Sequence, residues 1–127
     1  MADAGARKIK ALLDTPSATL GTHMEAVRSG LRAVSAEGKV PRSTYDSISK
    51  VLGYFRRLHL QIEDTKTRSP AKRDVTAALF QMEAALANLS EGLKRGTGAG
   101  AADQMDKAGR RAGRASSDLT RASKRLA

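Results

Sequence analysis

Cysteine is absent from this chain, so it has neither a disulfide framework nor a Cys-based metal site. Tryptophan is absent too, and aromatic residues occupy only 3 % of the 127 positions. A core therefore has to come from Leu, Val, Ile and Ala, with helices running close together. The same scarcity leaves no aromatic platform on which nucleic-acid bases would stack. No apolar run approaches the roughly 18 residues that a membrane span requires. The apolar cluster of the first 14 residues is also too short for a signal-peptide core. The expectation is a cytoplasmic protein with no integral membrane contact.

Acidic residues are the other shortage. Lys and Arg number 23 against 13 Asp and Glu, a formal charge of +10. Such a balance favours negatively charged partners: nucleic acid, an anionic membrane surface, or the acidic face of another protein. A soluble bundle with a solvated basic face has the same composition, so charge by itself names no site.

What the chain does have is helical periodicity. Between Ser69 and Gly96, residues Val75, Leu79, Met82, Leu86, Leu89 and Leu93 recur in steps of four and three, one stripe of an α-helix. Ser69 is placed to cap the first turn and Pro70 to open it. Lys94 and Arg95 sit at the negative end before Gly96. A second apolar set, Ala77, Phe80, Ala84 and Ala87, lies well away from the first. A helix that is apolar on two sides calls for neighbours on two sides.

The same steps recur elsewhere. Ile9, Leu12 and Leu13 suggest one or two helical turns within residues 1–14, too short to persist alone in water. Thr15 and Pro16 read as a restart, followed by Leu20, Met24, Val27, Leu31 and Val34 on a helix over about 17–37. Gly21 and Gly30 interrupt it, either to let another helix approach or as tolerated weak points. After the turn at Lys39–Pro41, Ser43 and Asp46 resemble a capping box. Tyr45, Ile48, Leu52, Phe55, His59 and Ile62, widened by Val51 and Leu58, then mark a helix over about 42–66. Short turns between these segments predict antiparallel neighbours.

Gly96–Gly100 reads as a hinge. Beyond it Met105, Ala108, Ala112, Ala115, Leu119, Ala122 and Leu126 mark a fourth helix over about 102–126 with a thin seam. Its other side carries Lys107, Arg111, Arg114, Arg121 and Arg125 in one line, with Arg110 and Lys124 beside it. The expected fold is all-α. It is an antiparallel three- to four-helix bundle: a segment 1–14, a three-helix core 15–96, and a hinge with a basic Ala-rich helix in 97–127. That helix packs on the core or on a partner.

Catalysis is not expected, and neither is a cofactor. The only histidines are His23 and His59, and a His59–Glu63 pair at one-turn spacing lacks the further ligands a metal needs. It reads as a partly buried histidine satisfied by a carboxylate. No Glu-x-x-His motif is present, and the glycines of 96–100 lack the Lys-Ser/Thr of a phosphate-binding loop.

Two functional readings remain. The first is a small adaptor or assembly component that docks helices with a protein partner or with copies of itself. Its candidate surface is Ala77, Phe80, Ala84, Ala87, Ala108, Ala112, Ala115 and Leu119, with Tyr54 and Leu60 as further exposed apolar groups. The paired spacings Ala108/Ala112 and Gly109/Gly113 suggest close backbone approach. The alternative is sequence-independent binding of nucleic acid or another polyanion through the basic line, with Arg56, Arg57, Lys66, Arg68, Lys72 and Arg73 as further cations. No helix-turn-helix or zinc-finger pattern supports a sequence-specific version. Met105, Leu119 and Leu126 offer too little apolar area for more than electrostatic contact with a membrane surface.

Overall fold

Ser69 caps the central helix as its position predicts: its hydroxyl accepts a hydrogen bond from the Ala71 amide at 3.3 Å, and Pro70 leads into the first turn. The computed structural model describes residues 3–14, 25–30, 32, 42–94 and 99–126. Among the described residues the main helices are α1 (Ala4–Asp14), α2 (Arg42–Glu63), α3 (Ala71–Lys94) and α4 (Ala99–Arg125). Residues 25–30 are helical as well, and no strand occurs among the described residues. Thr15–Pro16, Gly21 and most of the helix expected over 17–37 lie outside that set, as do Gly96–Gly98 of the expected hinge.

Helices α2 and α3 run antiparallel. His59, in the last part of α2, meets Glu83 midway along α3, and the Tyr45 hydroxyl near the start of α2 donates to the Leu93 carbonyl near the end of α3 at 2.9 Å. Along the pair Ile48, Val51, Phe55, Leu58 and Ile62 are buried with Val75, Leu79, Leu89 and Leu93. The expected stripe of α3 is therefore core, but its centre of burial differs. Leu79 and Val75 are fully buried, whereas Met82 and Leu86 pack at the edge. Tyr54 is half-buried, its ring edge-on to Phe55 at 5.5 Å between centroids, rather than exposed as its position suggested.

The turn between α2 and α3 is anchored from three directions. Lys72 donates its ammonium to the carbonyls of Glu63 and Thr65, both at 2.9 Å, so this cation caps the end of α2 instead of facing a ligand. Thr65 donates to the Gln61 carbonyl at 2.8 Å. Asp3 supplies the third anchor. Its Oδ1 accepts from the Ala6 amide at 2.7 Å, capping α1, and from the Thr67 hydroxyl at 2.6 Å. Its Oδ2 accepts from the Arg68 amide at 2.8 Å. These donors, the Thr67 hydroxyl foremost, hold the carboxyl down at a pKa of about 2.

With that anchor α1 docks over eleven residues, longer than the one or two turns expected, and buries Ala6 and Ile9. Gly5 makes the approach close: a Cβ there would stand 1.9 Å from the Lys66 carbonyl oxygen. Gly30 plays the same part for residues 25–30, since a Cβ would meet the Thr44 hydroxyl oxygen at 1.9 Å. This decides the role left open for Gly30. Ser43, expected as a cap, lies inside α2, which already begins at Arg42.

Helix α4 packs in the same chain, antiparallel along α3. Asp74 pairs with Arg125 and Gln81 with Arg111, so rising numbers on one helix meet falling numbers on the other. It starts earlier than expected and takes in Ala99 and Gly100. Its buried residues Ala108, Ala115 and Ala122 recur every seventh position, and Leu126 closes the end. On α3 a matching row of small buried residues, Ala71, Ala78, Ala85 and Gly92, has the same spacing. Two small rows with a common seven-residue repeat form one continuous seam, as in coiled coils. Small side chains on both sides let the helix axes come close.

Candidate interaction surface

The seam determines which surfaces are left open. Ala108 and Ala115 of the expected docking surface are consumed within the chain, and Ala112 and Leu119 are half-buried beside them. The second stripe of α3 is not what α4 covers. Ala77 is exposed, Phe80 is 57 % exposed, and Ala84 and Ala87 are half-buried, because α4 lies on the row through Ala78 instead. Leu60, at 63 %, is exposed as expected. Gly109 and Gly113 permit no close approach at all, since a Cβ at either position would meet nothing within 4 Å.

The basic line flanks the seam and forms one wall of a groove between α3 and α4. Two hollows share Gln81 and Asp118 and so run on into each other. The first is lined by Asp74, Ala77, Ala78, Arg121, Lys124 and Arg125 besides those two, the second by Lys107, Arg110, Arg111, Arg114 and Ala115. Ala78 and Ala115 are buried at its base, which leaves Ala77 as the one exposed apolar residue of its lining. From Lys107 to Arg125 it extends about 27 Å at about 1.5 Å per residue.

The wall is not uniformly positive. Lys107 pairs with Asp103 at 3.1 Å, Arg110 with Asp106 at 3.0 Å, and Arg121 with Asp118 at 2.5 Å, each within α4. Arg125 pairs across to Asp74 of α3. Arg111, half-buried, donates its Nε to Gln81 Oε1 at 2.7 Å and helps to hold the two helices in register. Arg114 and Lys124 are exposed and have no acidic partner among the described residues. Surface pairs of this kind contribute about 0.2–1 kcal/mol, so an incoming ligand exchanges them readily.

The chain matches no family model, no curated protein and no solved structure.

His59 stands apart from the groove, on the edge between α2 and α3. Its Nδ1 lies 2.8 Å from Glu83 and its Nε2 lies 3.1 Å from Glu63. Glu83 is the partner that helical spacing did not reveal. Carboxylates only accept, so both ring nitrogens donate at once only in the imidazolium form. No group of three His, Cys, Asp or Glu side chains suited to a metal ion occurs among the described residues. No helix among them is long and apolar enough to cross a membrane.

The sequence reading found the basic wall and missed the opposite one: Asp74, Ala78 and Gln81. The missing signal was the seven-residue recurrence of Ala71, Ala78, Ala85 and Gly92, which matches Ala108, Ala115 and Ala122 across thirty residues of chain.

Proposed function

We propose that this protein is a small, basic, non-catalytic helical adaptor or assembly component. It acts in the cytoplasm by helix-mediated protein–protein interaction. In this reading the architecture is an antiparallel three- to four-helix bundle. Its basic, alanine-rich C-terminal helix closes the core in its own chain and offers its flank to a partner.

The observation that carries the reading is the interleaving of charge along the groove. Asp118 and Asp74 sit among Arg121, Lys124 and Arg125, and Asp106 precedes Arg110. A phosphate backbone presents negative charge without interruption and would confront each of these carboxylates. A polypeptide can set an acid against each arginine and leave each aspartate unopposed, and like-charge juxtaposition then excludes wrong partners.

Light scattering of the purified chain over a range of concentration and salt tests whether the partner is a second copy. An oligomer that survives high salt supports apolar docking, because burial of alanine and Phe80 is not screened. A monomer at every concentration, together with duplex binding that falls steeply with salt, overturns the adaptor reading.

One observation favours the second reading, a sequence-independent nucleic-acid binder: Arg114 and Lys124 project from α4 with no acidic partner among the described residues. If duplex is the ligand, Arg111→Gln, Arg114→Gln and Arg121→Gln weaken binding to every sequence alike. The salt slope then becomes shallower by roughly 0.9 per lost phosphate contact.

A further inference from the structure

We infer that the outer face of α3 pairs antiparallel with the same face of a second copy of this chain. This rests on the adaptor reading and names both the partner and the surface it meets.

Three rows of residues run along α3. Helix α2 packs on the row of Val75, Leu79, Leu89 and Leu93, and α4 on the row of Ala71, Ala78, Ala85 and Gly92. The third row is Arg73, Ala77, Phe80, Ala84, Ala87 and Glu91, whose alternating steps of four and three keep it on one face. Neither neighbouring helix covers it. Phe80 is 57 % exposed, Arg73, Ala77 and Glu91 are exposed, and Ala84 and Ala87 are half-buried. Arg73 and Glu91 have no ion-pair partner among the described residues.

This row is complementary to its own reverse. Turned end for end about the level of Met82, Arg73 stands opposite Glu91 of the second copy, Ala77 opposite Ala87, and Phe80 opposite Ala84. A two-fold axis makes each of these contacts twice. Both ends of the pair then set an arginine against a glutamate, and each phenylalanine ring lies on a methyl group. The parallel arrangement stacks Phe80 on Phe80 and brings Arg73 to Arg73 and Glu91 to Glu91, so like charges exclude it. A face that serves an unrelated protein needs no such relation between its own two halves, and that relation selects a second copy. Glu83, the acid beside the centre of the row, is engaged by His59 of its own chain at 2.8 Å.

One helix face meeting its copy buries less than the roughly 1,200 Å² of a standard interface, so the dimer is weak and reversible. At the micromolar concentrations of an unfolding measurement the chain is a monomer, and its melting temperature reports the single bundle.

Sedimentation equilibrium of the full chain from about 10 µM to about 1 mM tests the pairing. The salt is set at about 0.15 M, where a screening length of about 8 Å keeps the +10 charge on each copy from holding them apart. A monomer–dimer equilibrium with no larger species is expected, because a two-fold contact closes on itself. Arg73→Glu or Glu91→Arg alone brings like charges together at both ends and should weaken the dimer about fivefold. The double exchange R73E/E91R reverses both pairs and should restore it. Phe80→Ser should weaken it by about tenfold or more. These three positions are exposed, so thermal unfolding of the variants should match that of the unaltered chain.

Register is read by cross-linking, since the chain has no cysteine of its own. Ala77→Cys mixed with Ala87→Cys should give a disulfide-linked dimer under mild oxidation, and neither variant should do so alone. Each of these positions lies ten residues, about 15 Å, from its own equivalent across the axis, beyond disulfide reach.

A chain that stays monomeric to about 1 mM overturns the inference, and the adaptor reading falls with it only if a nucleic-acid duplex binds as well. A dimer that keeps its affinity in R73E and in Phe80→Ser overturns the assignment of this face, while self-assembly stands. Cross-linking of Ala77→Cys with itself overturns the antiparallel order. If R73E/E91R dimerises no more tightly than the two single variants, Arg73 and Glu91 do not meet, and the inference fails.

Discussion

Arg111 on α4 donates its Nε to Gln81 Oε1 on α3 at 2.7 Å, joining residues thirty positions apart beside the buried Ala115. The contact lies midway along the alanine seam, so the basic helix is part of the fold and its cations are carried on a rigid support. A cation held in place keeps less conformational freedom to lose when a partner arrives.

Because the seam closes within one chain, the melting temperature should not change with protein concentration. Ala115→Glu puts a carboxylate into a position only 1 % exposed and should cost on the order of 2–5 kcal/mol. Ala112→Glu, half-buried beside it, should cost less. Denaturant unfolding of both variants at two protein concentrations checks the order and the independence.

Gly109 and Gly113 are open to solvent where a methyl would stand, so each costs helix stability with no packing return. Gly109→Ala and Gly113→Ala should each stabilise the protein by up to about 1 kcal/mol. A loss of stability on either substitution would mean that another chain or segment approaches α4 there.

The opposite sign is expected at the two tight glycines. Gly5→Ala drives a methyl against the Lys66 carbonyl oxygen, which belongs to backbone and cannot rotate aside. It should undock α1 and expose Ile9, read as faster amide exchange in α1 and a lower melting temperature. Gly30→Ala meets the buried Thr44 and should also destabilise, with partial rescue by Thr44→Ala in the same chain.

Asp3 links stability to pH. Its carboxyl is lowered from 3.8 to about 2 in the folded chain, chiefly by the Thr67 hydroxyl and then by the Arg68 and Ala6 amides. A depressed acid favours the fold while ionised. Its contribution is therefore complete above about 3.8 and is lost as pH falls through about 2. Asp3→Asn should lower the melting temperature at neutral pH and remove part of the acid sensitivity in that window. An unchanged acid profile would show that the anchor at Thr67 does not hold α1.

Phe80 is exposed in the isolated chain, so Phe80→Ser should leave stability within about 0.5 kcal/mol. If the outer face of α3 also meets a partner, salt-resistant association should fall in this variant. Thermal unfolding and light scattering on one preparation separate the two effects.

The helical class was legible from single residues. Steps of three and four placed Val75, Leu79, Leu89 and Leu93 in the core, and Ser69 with Pro70 located the start of α3 within a residue. These are local properties, set by 3.6 residues per turn and by the chemistry of the helix start, so a short window of chain contains them. The partner of each stripe is not local. Ala77, Phe80, Ala84 and Ala87 were more conspicuous than Ala71, Ala78, Ala85 and Gly92, yet α4 covers the second row, because two small rows in the same seven-residue repeat allow closer packing than a row interrupted by a phenylalanine. The pairing of His59 with Glu83, the anchoring of α1 by Asp3, and the tight contacts of Gly5 and Gly30 join residues from different elements in the same way. Residue type and spacing along the chain were sufficient for the helices and for the line of positive charge. Which faces meet, and hence which surface remains for a partner, was decided only when the helices packed, since a side chain's neighbours across helices depend on the path of the whole chain.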